Sequence, residues 1–383
     1  MKCKLSDICS FRKGKVEVEN LNAKNYISTE NMLPNKCGIT EASSLPTVSL
    51  TQEYNSGDVL VSNIRPYFKK IWQAEYDGGC SNDVLVFVPK PNTDKDFLYY
   101  VLADDDFFTY SMATSKGTKM PRGDKTSIMQ YEVPLIDLQV QKKIASVLKA
   151  LDERIKLNNE INNNLEQQIS ALFINMFGFN IDNLVDNKFS LGDLVESVDN
   201  RGKTPPLSDK PTSYPIIDVK ALSGDIRIVD YNNCTKYVDE ETYNNWFRSG
   251  HPKQYDILIS TVGSLAEMKI FLGDIGCIAQ NVVGFRSKGV SPLYLYQYLN
   301  YIKSDLVAYN IGSVQPSIKV THIIKHPIYV APQDELDKFD SVARSITEKI
   351  FANCQENESL KLLRDTLLPK LMSGELDVSN IEI

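Results

Sequence analysis

This sequence has few of the residues that build metal centres or disulfide frames. Its seven cysteines, at positions 3, 9, 37, 80, 234, 277 and 354, are scattered with no Cys-x-x-Cys pair. That reads as a set of reduced thiols, not a disulfide frame or a zinc site. Three histidines, His251, His322 and His326, are too few for a rich metal centre. No stretch approaches about eighteen uninterrupted apolar residues, so no membrane span is expected. The opening MKCKLSDICSF has no apolar run of the secretory kind, and a cytoplasmic location is expected. A G-x-G-x-x-G nucleotide loop is absent. Gly202-Lys203-Thr204 ends like a phosphate loop, but Ser197 stands where its leading glycine is needed. Thr204-Pro205-Pro206-Leu207 only echoes the Pro-Pro-aromatic motif of amino-methyl transfer.

What the chain does have is a repeat. Residues 138–178 and 333–374 are two helical segments in one heptad phase, 195 positions apart. The first seam runs Ile144, Leu148, Leu151, Ile155, Asn158, Asn162, Leu165, Ile169, Leu172 and Met176. The second runs Phe339, Ala343, Ile346, Ile350, Asn353, Asn357, Leu360, Arg364, Leu367 and Leu371. Alternating spacings of three and four mark a coiled-coil face, and both seams carry two asparagines at their centre. Each seam spans about 48 Å at 1.5 Å per residue. Asp137 is placed to cap the first helix, Gly178 to end it, and Pro369 to loosen or bend the end of the second. An antiparallel pairing sets Asn158 against Asn357 and Asn162 against Asn353, which fixes the register at some loss of stability.

The segments before the helices also match. Residues 57–62 (GDVLVS) parallel 255–260 (YDILIS), each a short strand led in by a turn. Residues 116–121 (KGTKMP) parallel 311–316 (IGSVQP), a Gly-Ser/Thr-x-x-Pro pattern that predicts a tight loop. Residues 5–8 (LSDI) parallel 191–194 (LGDL). The loops between these strands hardly resemble each other, which suits two readers of different targets. The expected fold class is α+β: two pseudo-repeated mixed α/β domains, separated by two long helices forming an antiparallel coiled coil.

With these phrases in place, the sequence resembles the specificity subunit of type I restriction–modification enzymes. The resemblance runs along the whole chain. It is carried by 62–71 (SNIRPYFKKI), by Val133-Pro134-Leu135 leading to 141–145 (QKKIA), and by 367–375 (LLPKLMSGE). The second joint, 326–332 (HPIYVAP), is irregular by comparison. The resemblance implies target-recognition domains at 1–133 and 189–328, long spacer helices at 134–178 and 329–383, and a linker at 179–188. It further implies a non-catalytic subunit in which each domain reads one half of a bipartite, asymmetric site on double-stranded DNA. The helices would set the gap and dock two methyltransferase subunits, with restriction and motor subunits joining through these. No cofactor is implied on this chain; S-adenosylmethionine, ATP and Mg²⁺ would belong to the partners.

The net charge of −7 runs against a nucleic-acid partner, but the distribution softens this. Residues 331–383 carry six Lys/Arg against eleven Asp/Glu, so the acidic excess sits on the second long helix. That helix is better suited to solvent or a basic protein than to DNA. Cations on loops supply phosphate contacts, while Arg, Gln and Asn can read base edges. In the first half the candidates are Arg12, Lys13 and Lys15; Arg65, Lys69 and Lys70 among Tyr67, Phe68 and Trp72; and Lys116, Lys119, Arg122 and Lys125 around two glycines. In the second half they are Arg201, Lys203, Arg248, Lys253, Lys269, Gln315 and Lys319. The loop at 116–125 is the strongest of these, since its glycines allow close backbone approach. Tyr294, Tyr296, Tyr298 and Tyr301 are expected to pack inside the domain. Two alternatives remain. Asp256, Glu267 and Lys269 have the residue types of a Mg²⁺-dependent nuclease, although Asp256 aligns with Asp58, after which no Glu-x-Lys follows at the same distance. A coiled-coil scaffold without DNA binding is the other.

Overall fold

Each globular half opens with an edge strand and a single helical turn. In the first half Lys2–Lys4 pairs with Glu132–Pro134, and in the second Phe189–Ser190 pairs with Pro327–Ile328, both antiparallel. The turns that follow are Leu5–Ile8 and Leu191–Leu194. In each, the third residue reaches back: Asp7 accepts the Lys4 amide and Asp193 the Ser190 amide, both at 2.8 Å. This satisfies a donor that a helix N-terminus would otherwise leave unpaired. The computed structural model describes residues 2–183 and 189–378. The chain divides into two units, Met1–Ile155 with Glu358–Ile383, and Lys156–Asn357.

In the first unit a four-stranded antiparallel sheet has the order Cys9–Phe11, Val84–Pro89, Val59–Ser62, Ile71–Gln73. The second unit repeats that order with Val195–Val198, Val282–Ser287, Ile257–Ser260 and Met268–Ile270. The central strands Val59–Ser62 and Ile257–Ser260 are buried along their whole length, as their apolar runs require. A further sheet in each unit contains one parallel pair, Tyr26–Ile27 with Gly78–Cys80 and Tyr214–Ile217 with Cys277–Ile278. Helices Lys95–Ala103 and Pro292–Tyr301 cover the sheets. Tyr294, Tyr296 and Tyr298 lie in the core, as expected. Cys3, Cys9, Cys80, Cys234 and Cys277 are free thiols, and burial pushes Cys9, Cys80, Cys234 and Cys277 up to about 12.

The aspartates that lead into the central strands form turns. Asp58 accepts the Asn55 amide at 2.9 Å and Asp256 the Lys253 amide at 2.8 Å. An arginine neutralises each buried carboxylate, Arg12 for Asp58 and Arg286 for Asp256.

The long helices are Leu138–Phe173 and Gln333–Ser373. Asp137 caps the first through the Gln139 amide at 2.8 Å. In the first unit Ile144 and Leu148 share a core with Leu368 and Leu371, and Arg364 meets Asp152 at 2.7 Å. In the second unit Ile169 and Phe173 share a core with Phe339, Ala343 and Ile350. There Asn158 donates to Asn357 at 2.9 Å and Asn353 donates to Asn162 at 2.7 Å. Residue numbers rise on one helix as they fall on the other, so the pair is antiparallel in the register expected from the seams.

One expectation about helix ends is overturned. Gly178 does not stop the first helix. It holds right-handed helical angles, and the chain passes through a π-helical turn, Ile174–Gly178, into Phe179–Asp182. Phe173 and Phe177 pack edge-on against Tyr298, Tyr294 and Phe339, and this aromatic packing carries the helix onward. The first part of the expected linker at 179–188 is therefore helical, and its residues 184–188 lie outside the described residues. Pro369 sits inside the second helix, which continues to Ser373. Residues 379–383 of the expected second spacer are likewise outside the described residues.

Candidate nucleic-acid interface

Beyond each central strand the chain enters a loop that three neighbouring segments hold by main-chain bonds. In the first unit Ser62 N–H donates to the Lys70 carbonyl at 3.0 Å, Asn63 to Asp83 at 2.8 Å, and Arg65 to Pro121 at 2.8 Å. Gly123 donates back to Asn63 at 3.2 Å, and Lys116 to Arg122 at 2.9 Å. The second unit makes the corresponding bonds. Ser260 donates to Glu267 at 2.9 Å, Thr261 to Asn281 at 2.8 Å, and Gly263 to Pro316 at 3.0 Å. Ile318 donates back to Thr261 at 2.8 Å, and Ile311 to Ser317 at 2.9 Å. Pro121 and Pro316 are the prolines of the repeated Gly-Ser/Thr-x-x-Pro pattern, so that pattern marks where one loop fastens to the next. The loops are tight: a Cβ on Gly312 would fall 1.9 Å from the Gln315 carbonyl oxygen, so only glycine fits.

The same frame carries different side chains. In the first unit it gathers Arg65, Lys69, Lys70, Lys116, Lys119 and Arg122 on adjoining loops. Lys69 pairs with Asp105 at 2.7 Å, Lys116 with Asp124 at 2.9 Å, and Arg122 with Asp83 at 3.1 Å. The Lys116 ammonium and Ser127 donors hold the Asp124 carboxyl down at about 2. Lys70 donates to the Thr29 carbonyl at 2.6 Å, and burial lowers its pKa. Arg65 and Lys119 are exposed and meet no carboxylate among the described residues. Lys125 is exposed, with its ammonium 5.9 Å from the Phe11 ring centroid. Lys13 and Lys15 are exposed near the start of the unit. Arg12 is not available in the same way, because it is spent on Asp58 and on Glu53 at 3.5 Å.

In the second unit Gln315 and Lys319 are exposed on the corresponding loop. Arg201, Lys203 and Arg248 form a separate exposed group, with Arg201 paired to Asp199 at 2.6 Å and Arg248 beside Gly202. Lys253 is exposed on the turn before the central strand. Lys269 must be removed from the candidate set. Its side chain is 2% exposed, and its ammonium donates to the carbonyls of Gly224 and Ile226. Burial pushes it down to about 8. The nuclease alternative loses its geometry on the same observations: Asp256 is engaged by Arg286, Glu267 by Lys303 at 3.1 Å, and Lys269 by carbonyls.

One buried constellation had no sequence signal. Arg227 is fully buried in the second unit. Its guanidinium meets both oxygens of Glu166, Nε to Oε1 at 3.0 Å and Nη2 to Oε2 at 2.7 Å, and donates to Thr347 Oγ1 at 2.9 Å. Its amide donates to Glu166 at 2.8 Å. The partners lie 61 and 120 positions away, so neither heptad nor strand periodicity reveals them. Lys36, which joins Lys69 on Asp105 at 2.8 Å, was also missed.

The chain is thus a duplicated α/β module that hangs unlike loops on a common main-chain frame, with two long antiparallel helices. The family of that description is the Type I restriction modification DNA specificity domain, which matches residues 1–167 and 186–353, and the chain belongs to it. Among its relatives is the type I restriction enzyme MjaIX specificity subunit of Methanocaldococcus jannaschii, 24% identical over 77% of this chain and 72% of that one. Another is the HindI specificity subunit of Haemophilus influenzae, 24% identical over 92% and 94%. The fold matches the crystal structure of the S subunit of a type I restriction–modification system from M. genitalium. The TM-score is 0.54, at 16% identity over 97% of this chain and 96% of that one. No described helix is long and apolar enough to cross a membrane.

Proposed function

We propose that the chain is the non-catalytic DNA-recognition subunit of a type I restriction–modification complex. Each globular half reads one half of a bipartite, asymmetric site. The long helices set the gap and dock two methyltransferase subunits, through which restriction and motor subunits join. S-adenosylmethionine, ATP and Mg²⁺ act on those partners.

The observation that carries this reading is the repeated loop frame. Peptide N–H and carbonyl groups fasten residues 63–70 to 116–123 and residues 261–267 to 311–318 in the same pattern. The side chains on the two frames differ in charge and size, Arg65 and Lys70 standing where Gly263 and Glu267 stand. Two readers of unlike sequences need such a division between scaffold and contact surface. Exposed cations on the first frame supply phosphate contacts, so affinity should fall steeply with salt.

The test is the methylation pattern of host DNA with and without this chain. A two-part adenine motif that disappears with the chain supports the reading. A pattern that does not change refutes it. Cutting of DNA by the purified chain with Mg²⁺ alone would favour the nuclease alternative. Absence of salt-sensitive DNA binding, even with methyltransferase subunits present, would favour a scaffold.

A further inference from the structure

The loop after the first central strand carries a feature that its counterpart lacks. Pro66–Phe68 is a single 3-10 turn flanked by Arg65 and Lys69, both in the left-handed region at φ +50°. Left-handed angles at non-glycine residues are unfavourable and persist only where the surroundings over-determine them. Here they do. Arg65 N–H is bound to Pro121, while Asn35 N–H donates to the Phe68 carbonyl at 2.8 Å and Lys36 N–H to the Lys69 carbonyl at 2.9 Å. The turn is pinned from two sides.

The pinned turn presents aromatic rings to solvent. Tyr67 is 49% exposed and Phe68 38%, and their centroids lie 4.6 Å apart. The frame itself does not demand this. In the second unit the corresponding turn also uses positive φ, at Gly263 and Ala266, but Leu265 and Ala266 turn inward and are buried in the core. The first turn is one residue longer: Lys70 closes it eight positions after Ser62, whereas Glu267 closes the other seven after Ser260. The extra residue lets the apolar side chains face outward. Cations surround them. Arg65 and Lys119 meet no carboxylate among the described residues, and Lys70 lies 5.8 Å from the Phe68 ring centroid. Asp105 and Asp83 are already paired with lysine and arginine, and Glu30 acts on Lys70. A rigid aromatic tip in a cationic rim complements a polyanion with flat apolar faces inside it.

We propose that Tyr67 and Phe68 form a wedge that enters a base step of the half-site read by the first globular half and unstacks it, with Arg65 and Lys119 on the flanking phosphates. This rests on the recognition reading above and assigns the contact within it. The wedge supplies affinity through stacking, which salt does not screen. The two cations supply the salt-dependent part. The second half, whose turn is folded inward, has no such wedge.

The test uses the full chain assembled with its methyltransferase subunits, on a duplex bearing the site found by methylation mapping. 2-Aminopurine is placed in turn at each position of both half-sites. With the wild-type chain, fluorescence should rise at the adenine that the methyltransferase flips out in each half-site and, as the rise due to the wedge, at one further step of one half-site only. Tyr67→Ala with Phe68→Ala should abolish the rise and weaken binding by about 5- to 150-fold, the usual range for loss of one base–aromatic stack. The slope of log affinity against log salt should not change. Tyr67→Phe, which keeps the ring, should behave as wild type. Lys119→Ala should keep the rise and reduce the slope by about 0.9. If wild-type binding is intact, three outcomes each overturn the wedge alone: no rise beyond the flipped adenines, alanine variants that bind as wild type, or alanine variants that lose the methyltransferase subunits instead of DNA. A wild-type assembly with no salt-sensitive DNA binding overturns the recognition reading as well.

Discussion

Replacing Glu166 by glutamine should be among the most damaging conservative changes in the second unit. The substitution keeps volume and one acceptor but removes the only charge that faces the Arg227 guanidinium at hydrogen-bond distance among the described residues. Arg227 is 0% exposed and the Glu166 side chain 15%, so water cannot replace the lost carboxylate. Thr347 and the ring of Tyr296, 5.4 Å away, remain as neutral neighbours. Leaving one member of a buried pair unpaired costs about 3–5 kcal/mol, against about 5–15 kcal/mol for a whole domain. The chain has two tryptophans, Trp72 in the first unit and Trp246 in the second. In a Trp72→Phe background, fluorescence therefore reports the unit that holds the pair. At an m-value of about 2 kcal/mol/M in urea, the midpoint should fall by about 2 M. Adding Arg227→Met should recover most of the loss, because an apolar pair of similar size avoids the desolvation penalty. A Glu166→Gln midpoint within about 0.3 M of wild type, set against that m-value, would refute the argument. So would a double variant no more stable than the single one.

Asn162→Leu alone should leave stability near wild type, since the gain from burying leucine, about 1.5–3 kcal/mol, is offset by stranding the Asn353 amide, at about 1–3 kcal/mol. Adding Asn353→Leu removes that orphan and should raise the urea midpoint clearly above wild type; a double variant less stable than the single would contradict this. Lys269 sits below its ordinary 10.5, at about 8, so folding favours loss of its proton. The charge penalty is full below pH 8 and is relieved as pH rises towards 10.5. The stability of wild type relative to Lys269→Met should therefore climb through that window, by at most about 1.4 kcal/mol per pH unit; a flat difference would count against it. Inserting one heptad in each long helix adds about 10 Å and should lengthen the gap in the methylated motif by about three base pairs of 3.4 Å each. Sequencing that finds altered half-sites with an unchanged gap would reject the spacer role.

The parts that were legible in the sequence share one property: their signal is periodic or repeated. The heptads of 144–176 and 339–371 fixed the antiparallel register because the asparagines recur in both seams. The repeated phrases at 57–62 and 255–260 located the central strands. Features that depend on contacts between distant residues were not legible. Lys269 was mistaken for a surface cation, since nothing in Met268-Lys269-Ile270 shows that two carbonyls from residues 224 and 226 await its ammonium. Gly178 looked like a stop because glycine often ends helices, but the ring cluster around Phe173 and Phe177 outweighs that preference. The loop frame was visible only at its glycines and prolines, because peptide groups make its bonds and any side chain can accompany them.

That last property shapes how such a protein can change its preference. Fastenings made by amide and carbonyl are indifferent to which amino acid supplies them. Replacing Arg65, Tyr67 or Lys119, or the second-half counterparts Gly263 and Val314 of Arg65 and Lys119, leaves every one of those links intact, provided the chain can still adopt the positive φ that positions 65 and 263 use. Diversification at the rim is thus uncoupled from folding, and on the proposed reading each lobe is free to drift towards a new target while its twin keeps the old one.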